Sequence, residues 1–96
     1  MILENDQVMA FEDANPKAPV HALVIPKEHV VSVMDHFDGK TLYPAIFDAI
    51  RKVAIEKGVF EKGFRVVNNC GAEAGQTVDH LHFHILGGRP LKWPPG

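Results

Sequence analysis

The segment His80-Leu81-His82-Phe83-His84 alternates polar and apolar residues, and a β-strand is the conformation that turns a period of two into two chemically different faces. His80, His82 and His84 then share one face, while Leu81, Phe83 and Ile85 share the other. The apolar face belongs to a core. A strand over residues 78–86 is therefore anchored from behind and holds its imidazoles in fixed orientations.

Turn formers and apolar runs arrange the rest of the chain around that strand. Asn5-Asp6 separates Ile2-Leu3-Glu4 from Gln7-Val8-Met9-Ala10-Phe11, which predicts a hairpin between a short stub and a full strand. Residues 13–19 are dense in turn formers, and Val20-His21-Ala22-Leu23-Val24-Ile25 follows as a β-branched strand stopped by Pro26. The loop delivers His21 at the start of that strand. Between residues 41 and 57, Leu42, Ile46, Ala49, Ile50, Val53 and Ala54 recur at helical steps, with Gly58 placed to end the helix. Pro44 fits this helix in its first turn, where a missing amide loses no hydrogen bond. Residues 64–68 read as a strand, 71–76 as a loop, and Gly87-Gly88 closes the histidine strand before the proline-rich tail "RPLKWPPG". With no internal repeat, these elements predict an α+β fold, a mostly antiparallel sheet of about five strands with one principal helix. We expect a single domain over residues 1–96, with core sheet and helix in 1–86 and a tail in 87–96.

Composition narrows what such a domain binds. With 23% charged residues and a formal net charge of −2 the chain lacks the basic surplus of a nucleic-acid binder, so any nucleotide has to be gripped locally. The sole cysteine, Cys70, rules out an intrachain disulfide and a cysteine-based zinc cluster, and points to a reducing cytoplasm. Neither a basic leader nor an apolar run of membrane-spanning length is visible, so no membrane partner is expected. At 96 residues the domain has little core to spare and gains from dimerising.

Three uses of the histidine face compete. Zinc needs imidazole nitrogens within about 2.1 Å of one ion, whereas same-face strand neighbours are spaced by roughly 6.6 Å and the outer pair by about 13 Å. A His-x-His pair completed by His21 is the form a metal site can take here. Simple decoration of a half-exposed strand is the second use, since polar-out alternation is ordinary in antiparallel sheets. Histidine has no special strand preference, however, and three in register are poorly explained that way. The third use is acid, base and nucleophile chemistry: one ring nitrogen attacks while the other is fixed by a hydrogen bond to a carbonyl. Neighbouring imidazoles also discourage one another from being charged together.

The preceding loop bears on what is attacked. Gly75-Gln76-Thr77 offers amides and a hydroxyl, and Asn68 a carboxamide, a donor set suited to a phosphate although also plain turn chemistry. No Gly-x-x-x-x-Gly-Lys-[Ser/Thr] motif and no evident magnesium carboxylate cluster is present, which argues against kinase-like chemistry.

Taken together, "AGQTVDHLHFHILGGRPLKWPPG" and "NPKAPVHALVIPKEHV" closely resemble the histidine triad (HIT) family, in particular its branch of nucleotide-binding proteins with nucleoside phosphoramidase activity. The likeness spans nearly the whole chain, with the signature at His80 through Leu86 and the branch-like ending Trp93-Pro94-Pro95-Gly96. The resemblance implies a HIT-like fold and a hydrolase without cofactor or metal. Its substrate would be a purine nucleoside 5′-phosphoramidate, such as adenosine 5′-phosphoramidate, with AMP or GMP as product. His82 would attack the α-phosphorus to give a nucleotidyl-histidine that water then hydrolyses. His84 would contact the phosphate and leaving group, with His80 and His21 orienting the site and Thr77 touching the phosphate or leaving group. Asn68 and Gly75 match phosphate-contacting positions, and Asp13 matches the carboxylate that holds the ribose hydroxyls. Trp93 would cross a homodimer interface to shape the neighbour's leaving-group pocket.

Plainer roles stand beside these: Asp13 as a turn cap, Thr77 as a strand former and Trp93 as a packing anchor. His29 and His36 fall outside every motif and read as structural or solvated. Compared with the family, the chain is expected to be N-terminally shortened, without a segment that contributes to the sheet edge. Ala74, Glu12 and Asp79 stand where glycine, a basic residue and an aromatic are common. A nucleotide-binding module without turnover, or the zinc site, are the alternative functions.

Overall fold

The computed structural model describes residues 1–96. Five strands, β1 (Leu3–Glu4), β2 (Val8–Glu12), β3 (Val20–Pro26), β4 (Phe64–Val67) and β5 (Phe83–Gly87), form one sheet in the order β1-β2-β3-β5-β4. Every neighbouring pair is antiparallel. One helix, α1 (Gly39–Glu56), lies across one face of the sheet, and a short 3₁₀ turn at Ala72–Ala74 interrupts the loop before β5. The expected α+β fold is thus what forms.

The helical stripe read from the sequence is the buried one. Leu42, Ile46, Ala49, Ile50, Val53 and Ala54 are all buried on α1, and most join Val8, Ala10, Ala22, Val24, Phe83 and Ile85 in a single apolar cluster. Each large side chain in that cluster contributes on the order of 1.5–3 kcal/mol by leaving water. Asp38 starts the helix: its carboxylate accepts from the Lys40 amide (3.1 Å) and the Thr41 hydroxyl (2.8 Å). Gly58, in the left-handed region at φ +72°, follows the last turn.

Two local expectations are corrected. Pro44 does not sit in the first turn but one turn further in, because Asp38 caps the helix earlier than the apolar pattern suggested. It is exposed, so its ring faces solvent and only the carbonyl of Lys40 forgoes a helical partner. The histidine strand also begins later than expected, at Phe83. Leu81 donates its amide to the Val30 carbonyl (2.6 Å), outside the sheet, and the residues before Phe83 follow that tertiary bond instead of a ladder. The alternation survives the change: Leu81, Phe83 and Ile85 are buried, leaving His82 and His84 on the opposite, open face with His80 just before them.

Candidate active site

The open face of the sheet carries β3 beside β5, and register sets which side chains meet there. Leu23 pairs with His84 and His21 with Leu86 across the β3–β5 ladder. On the other side of β3, Phe11 pairs with Leu23. A cavity of about 390 Å³ lies over this face. Phe11, Leu23, Ile25 and Val78 give it an apolar wall, and Asp13, Thr77, His80, His82 and His84 give it polar groups.

Each ring has its proton placed by a partner of fixed polarity. His82 Nδ1 lies 2.7 Å from the carbonyl oxygen of His80; a carbonyl only accepts, so Nδ1 carries the proton and the neutral ring keeps a free lone pair on Nε2. His80 in turn donates from Nε2 to the Pro26 carbonyl at 2.9 Å, tying the segment before β5 to the end of β3. His21 is buried and accepts at Nδ1 from the Lys17 amide (3.0 Å), so its neutral form bears the proton on Nε2. That N–H donates to Nδ1 of His84 at 2.9 Å. Neutral His84 therefore holds its own proton on Nε2. Its ring stands tilted to both neighbours, with centroids 5.1 Å from His21 and 5.1 Å from His82.

Electrostatics reinforce the arrangement. Burial is the main influence holding the His84 pKa below its ordinary value, and the nearby His82 and His21 act in the same direction against the opposing pull of Asp13. A neutral His84 is thereby favoured. Asp13 divides its carboxylate: one oxygen caps the turn by accepting from the Asn15 amide (2.8 Å), and the other stands 3.4 Å from His21 Nε2. The turn-capping role and a place on the cavity wall coexist in one residue.

The other expected site residues lie off the cavity wall or, like Gly75, in the loop beside it. Asn68 donates its carboxamide to the main-chain carbonyl of His82 (3.0 Å) and does not line the cavity. Gly75 occupies the left-handed region at φ +84° and gives its amide to Ala72; Gln76 likewise gives its amide to Gly71. The Gly75 and Gln76 amides thus shape the loop, and Thr77 is the residue of Gly75-Gln76-Thr77 that faces the cavity. Trp93 is 80% exposed, 5.9 Å from the Arg65 guanidinium, and away from the cavity of its own chain. Glu12 is turned to Lys57 (2.6 Å), whose ammonium holds its carboxyl below the usual range.

The metal alternative meets a specific cluster. Asp13, His21 and His84 bring one donor atom each within 4.8 Å of one another. His82 is not among them, and the two imidazole nitrogens face each other at hydrogen-bond distance with a proton between them, a bond that an ion would have to replace. The geometry fits a hydrogen-bonded relay better than a ligand set.

Sequence reasoning overlooked the apolar wall and the contact that His29 makes. The signal for the wall was present: in β3, Leu23 and Ile25 are apolar on the open side as well as Ala22 and Val24 on the core side, a pattern that needs covering on both faces. His29 packs edge-on against His80 with centroids 5.6 Å apart, a contact that no local pattern announces.

The HIT domain family profile matches residues 1–91. An uncharacterized HIT-like protein of Synechocystis sp. is 48% identical over the whole of this chain and 84% of its own length. Among solved structures, a HIT family hydrolase from Legionella pneumophila superposes with a TM-score of 0.93 at 41% identity, over 99% of this chain and 86% of that one. A histidine triad protein from Clostridium difficile gives 0.89 at 49% identity, over 95% of this chain and 80% of that one.

Proposed function

Because the chain belongs to the HIT domain family, we propose that it hydrolyses purine nucleoside 5′-phosphoramidates through a nucleotidyl-His82 intermediate. The observation that carries this reading is the 2.7 Å bond from His82 Nδ1 to the His80 carbonyl, which leaves Nε2 basic on the cavity wall. An uncharged nitrogen approaches an anionic phosphorus with less repulsion than a charged nucleophile.

In the first step Nε2 of His82 bonds to phosphorus and the P–N bond breaks. The departing nitrogen keeps that electron pair and takes up one proton, leaving as an amine. The adduct is an imidazolium whose remaining Nδ1–H still donates to the His80 carbonyl. Water then attacks phosphorus, the P–Nε2 pair returns to His82, and one proton is released. His84, with Nε2–H outward, donates to the phosphoryl oxygens as their charge redistributes, and the Thr77 hydroxyl is the second donor on that wall. Phe11, Leu23 and Ile25 offer a flat apolar bed for the purine, and Asp13 accepts from ribose hydroxyls. Asn68 and Gly75 act by shape, fixing the His82 main chain and the loop. In the same proposal the protein is a cytoplasmic homodimer in which Trp93 reaches the neighbour's site.

Incubation with adenosine 5′-phosphoramidate tests this. Amine and AMP should be released, an acid-quenched sample should contain protein carrying one AMP, and His82→Asn should abolish both. Tight AMP binding without any release would instead establish a nucleotide-binding module.

A further inference from the structure

His84 borders a second cavity of about 440 Å³, whose wall includes Lys17, Arg65, Asn69 and the tail residues Pro95 and Gly96. It lies on the same open face but toward β4: Val67 pairs with His84 and Arg65 with Leu86 across the β4–β5 ladder. The cavity proposed above to take the nucleoside lies on the β2–β3 side, so a substituent on phosphorus that points away from the nucleoside passes over His84 into this space.

Among the side chains of the second cavity's wall, Lys17 and Arg65 are cations and none is a carboxylate, so they outnumber the one anion there, the main-chain carboxylate of Gly96. Arg65 is preorganised there. Its guanidinium donates to the carbonyls of Lys92 (3.0 Å) and Leu91 (3.5 Å) and lies 5.9 Å from the Trp93 ring. Lys17 is fixed through its main chain, since its amide donates to His21 and its carbonyl accepts from Arg89 (3.2 Å). A cavity that shares Arg65 with it, and a further one that shares Lys62 and Arg89 with that cavity, again have no Asp or Glu on their walls. In a chain with more acidic than basic residues, 12 against 10, such segregation makes this end of the sheet a local attractor for anions.

We infer that the second cavity is a leaving-group subsite selecting amines that carry a carboxylate: the preferred substrates are nucleotides joined through phosphorus to the α-nitrogen of an amino acid, acidic ones above neutral ones. The inference rests on the phosphoramidase reading and adds the class of amine released. The P–N bond breaks as before, and the carboxylate stays ionised and takes no part in the bond changes. Lys17 is exposed and Arg65 half-buried, so the attraction is screened by salt.

Adenosine 5′-phosphoramidates of aspartate, alanine amide and lysine amide, together with the unsubstituted compound and a dinucleoside polyphosphate, form the test series. At low salt the aspartate compound should exceed the alanine amide compound by roughly 5- to 30-fold in kcat/KM, the size of one or two charge-assisted contacts near a surface. The preference should shrink as salt rises, and Lys17→Gln or Arg65→Gln should drive the ratio toward one. A ratio of one or below in the unaltered protein, with the unsubstituted compound still hydrolysed, overturns the subsite and leaves the phosphoramidase reading standing. Faster cleavage of the dinucleoside polyphosphate than of the aspartate compound reassigns the subsite to phosphate and also overturns it. Failure to cleave any member of the series overturns both.

Discussion

Replacing His21 by asparagine or by glutamine separates two hydrogen bonds that the native ring makes at once. Native His21 accepts from the Lys17 amide at 3.0 Å through Nδ1 and donates from Nε2 to His84 Nδ1 at 2.9 Å. An asparagine amide sits near the Nδ1 position, and a glutamine amide near Nε2. His21→Asn therefore retains the acceptor for Lys17 but leaves His84 Nδ1 without a donor. Neutral His84 is then free to carry its proton on Nδ1 and to turn a lone pair toward the phosphate. A hydrogen bond to a charged group is worth about 1.5–3 kcal/mol, which corresponds to roughly 10- to 150-fold in kcat. The substitution also removes one influence that lowers the His84 pKa and leaves the opposing pull of Asp13, so that pKa rises. A charged His84 has protons on both nitrogens and needs no tautomer control. The asparagine defect is thus expected to shrink as pH falls and to deepen as pH rises through the neutral range. His21→Gln keeps the donor and strands the Lys17 amide, costing about 1–3 kcal/mol of stability with little loss in kcat. Amine release measured from about pH 5.5 to 8.5, alongside urea unfolding of both variants, decides the matter. A glutamine variant slower than the asparagine one, with a pH-independent asparagine defect, refutes the relay.

His84 also links pH to stability. Its folded pKa lies below the ordinary imidazole value of 6.5, so the unfolded chain binds the proton more readily. Its contribution is steady above that pH and is lost as pH falls from about 6.5 toward the folded value; urea midpoints should drop across that window, and His84→Gln should flatten the drop. Pro44→Ala should restore the amide that the Lys40 carbonyl lacks and raise stability by about 1 kcal/mol or more, read as a higher melting temperature with unchanged activity. Gly87→Ala should destabilise by about 1–3 kcal/mol, since an added Cβ would meet Val59 Cγ1 at 2.9 Å; equal melting temperatures for variant and parent would show that Val59 yields freely.

The parts of this fold that were legible in the sequence are those fixed by local period. The helix stripe from Leu42 to Ala54, the two faces of His80–Ile85 and the place of His21 near the start of a strand follow from spacing and turn signals, and the structure keeps all of them. What spacing could not reveal are features set by partners distant in sequence. Leu81 leaves the ladder because Val30, fifty-one positions earlier, offers it a carbonyl, and Pro44 enters the helix interior because Asp38 starts the first turn upstream of the apolar pattern. Asn68, Gly75 and Gln76 suggest phosphate donors by residue type, and spacing could not reveal that Asn68 also donates to the His82 main chain while the Gly75 and Gln76 amides close the loop on itself. Lys17 and Arg65 are separated by the whole of α1 and share a wall only because β4 joins the sheet beside β5.

Backbone groups, more than side chains, give the histidine cluster its direction. The Lys17 amide orients His21, which orients His84, and that chain ends in an N–H. The His80 carbonyl orients His82, and that shorter chain ends in a lone pair. The rings of His84 on β5 and His82 just before it therefore present opposite polarities to the same cavity, a donor beside a lone pair. Phosphoryl transfer needs that combination: one atom to bond phosphorus and another to accept the oxygens' growing demand for hydrogen bonds. Two rings ending in the same polarity would give either a pair of donors with nothing to attack, or a pair of nucleophiles with nothing to steady the charge. Since an amide and a carbonyl cannot exchange roles, the polarity is built into the main-chain path of the turn before β3 and the segment before β5. Substitutions elsewhere on the cavity wall should accordingly change which substrate binds well before they change which nitrogen attacks.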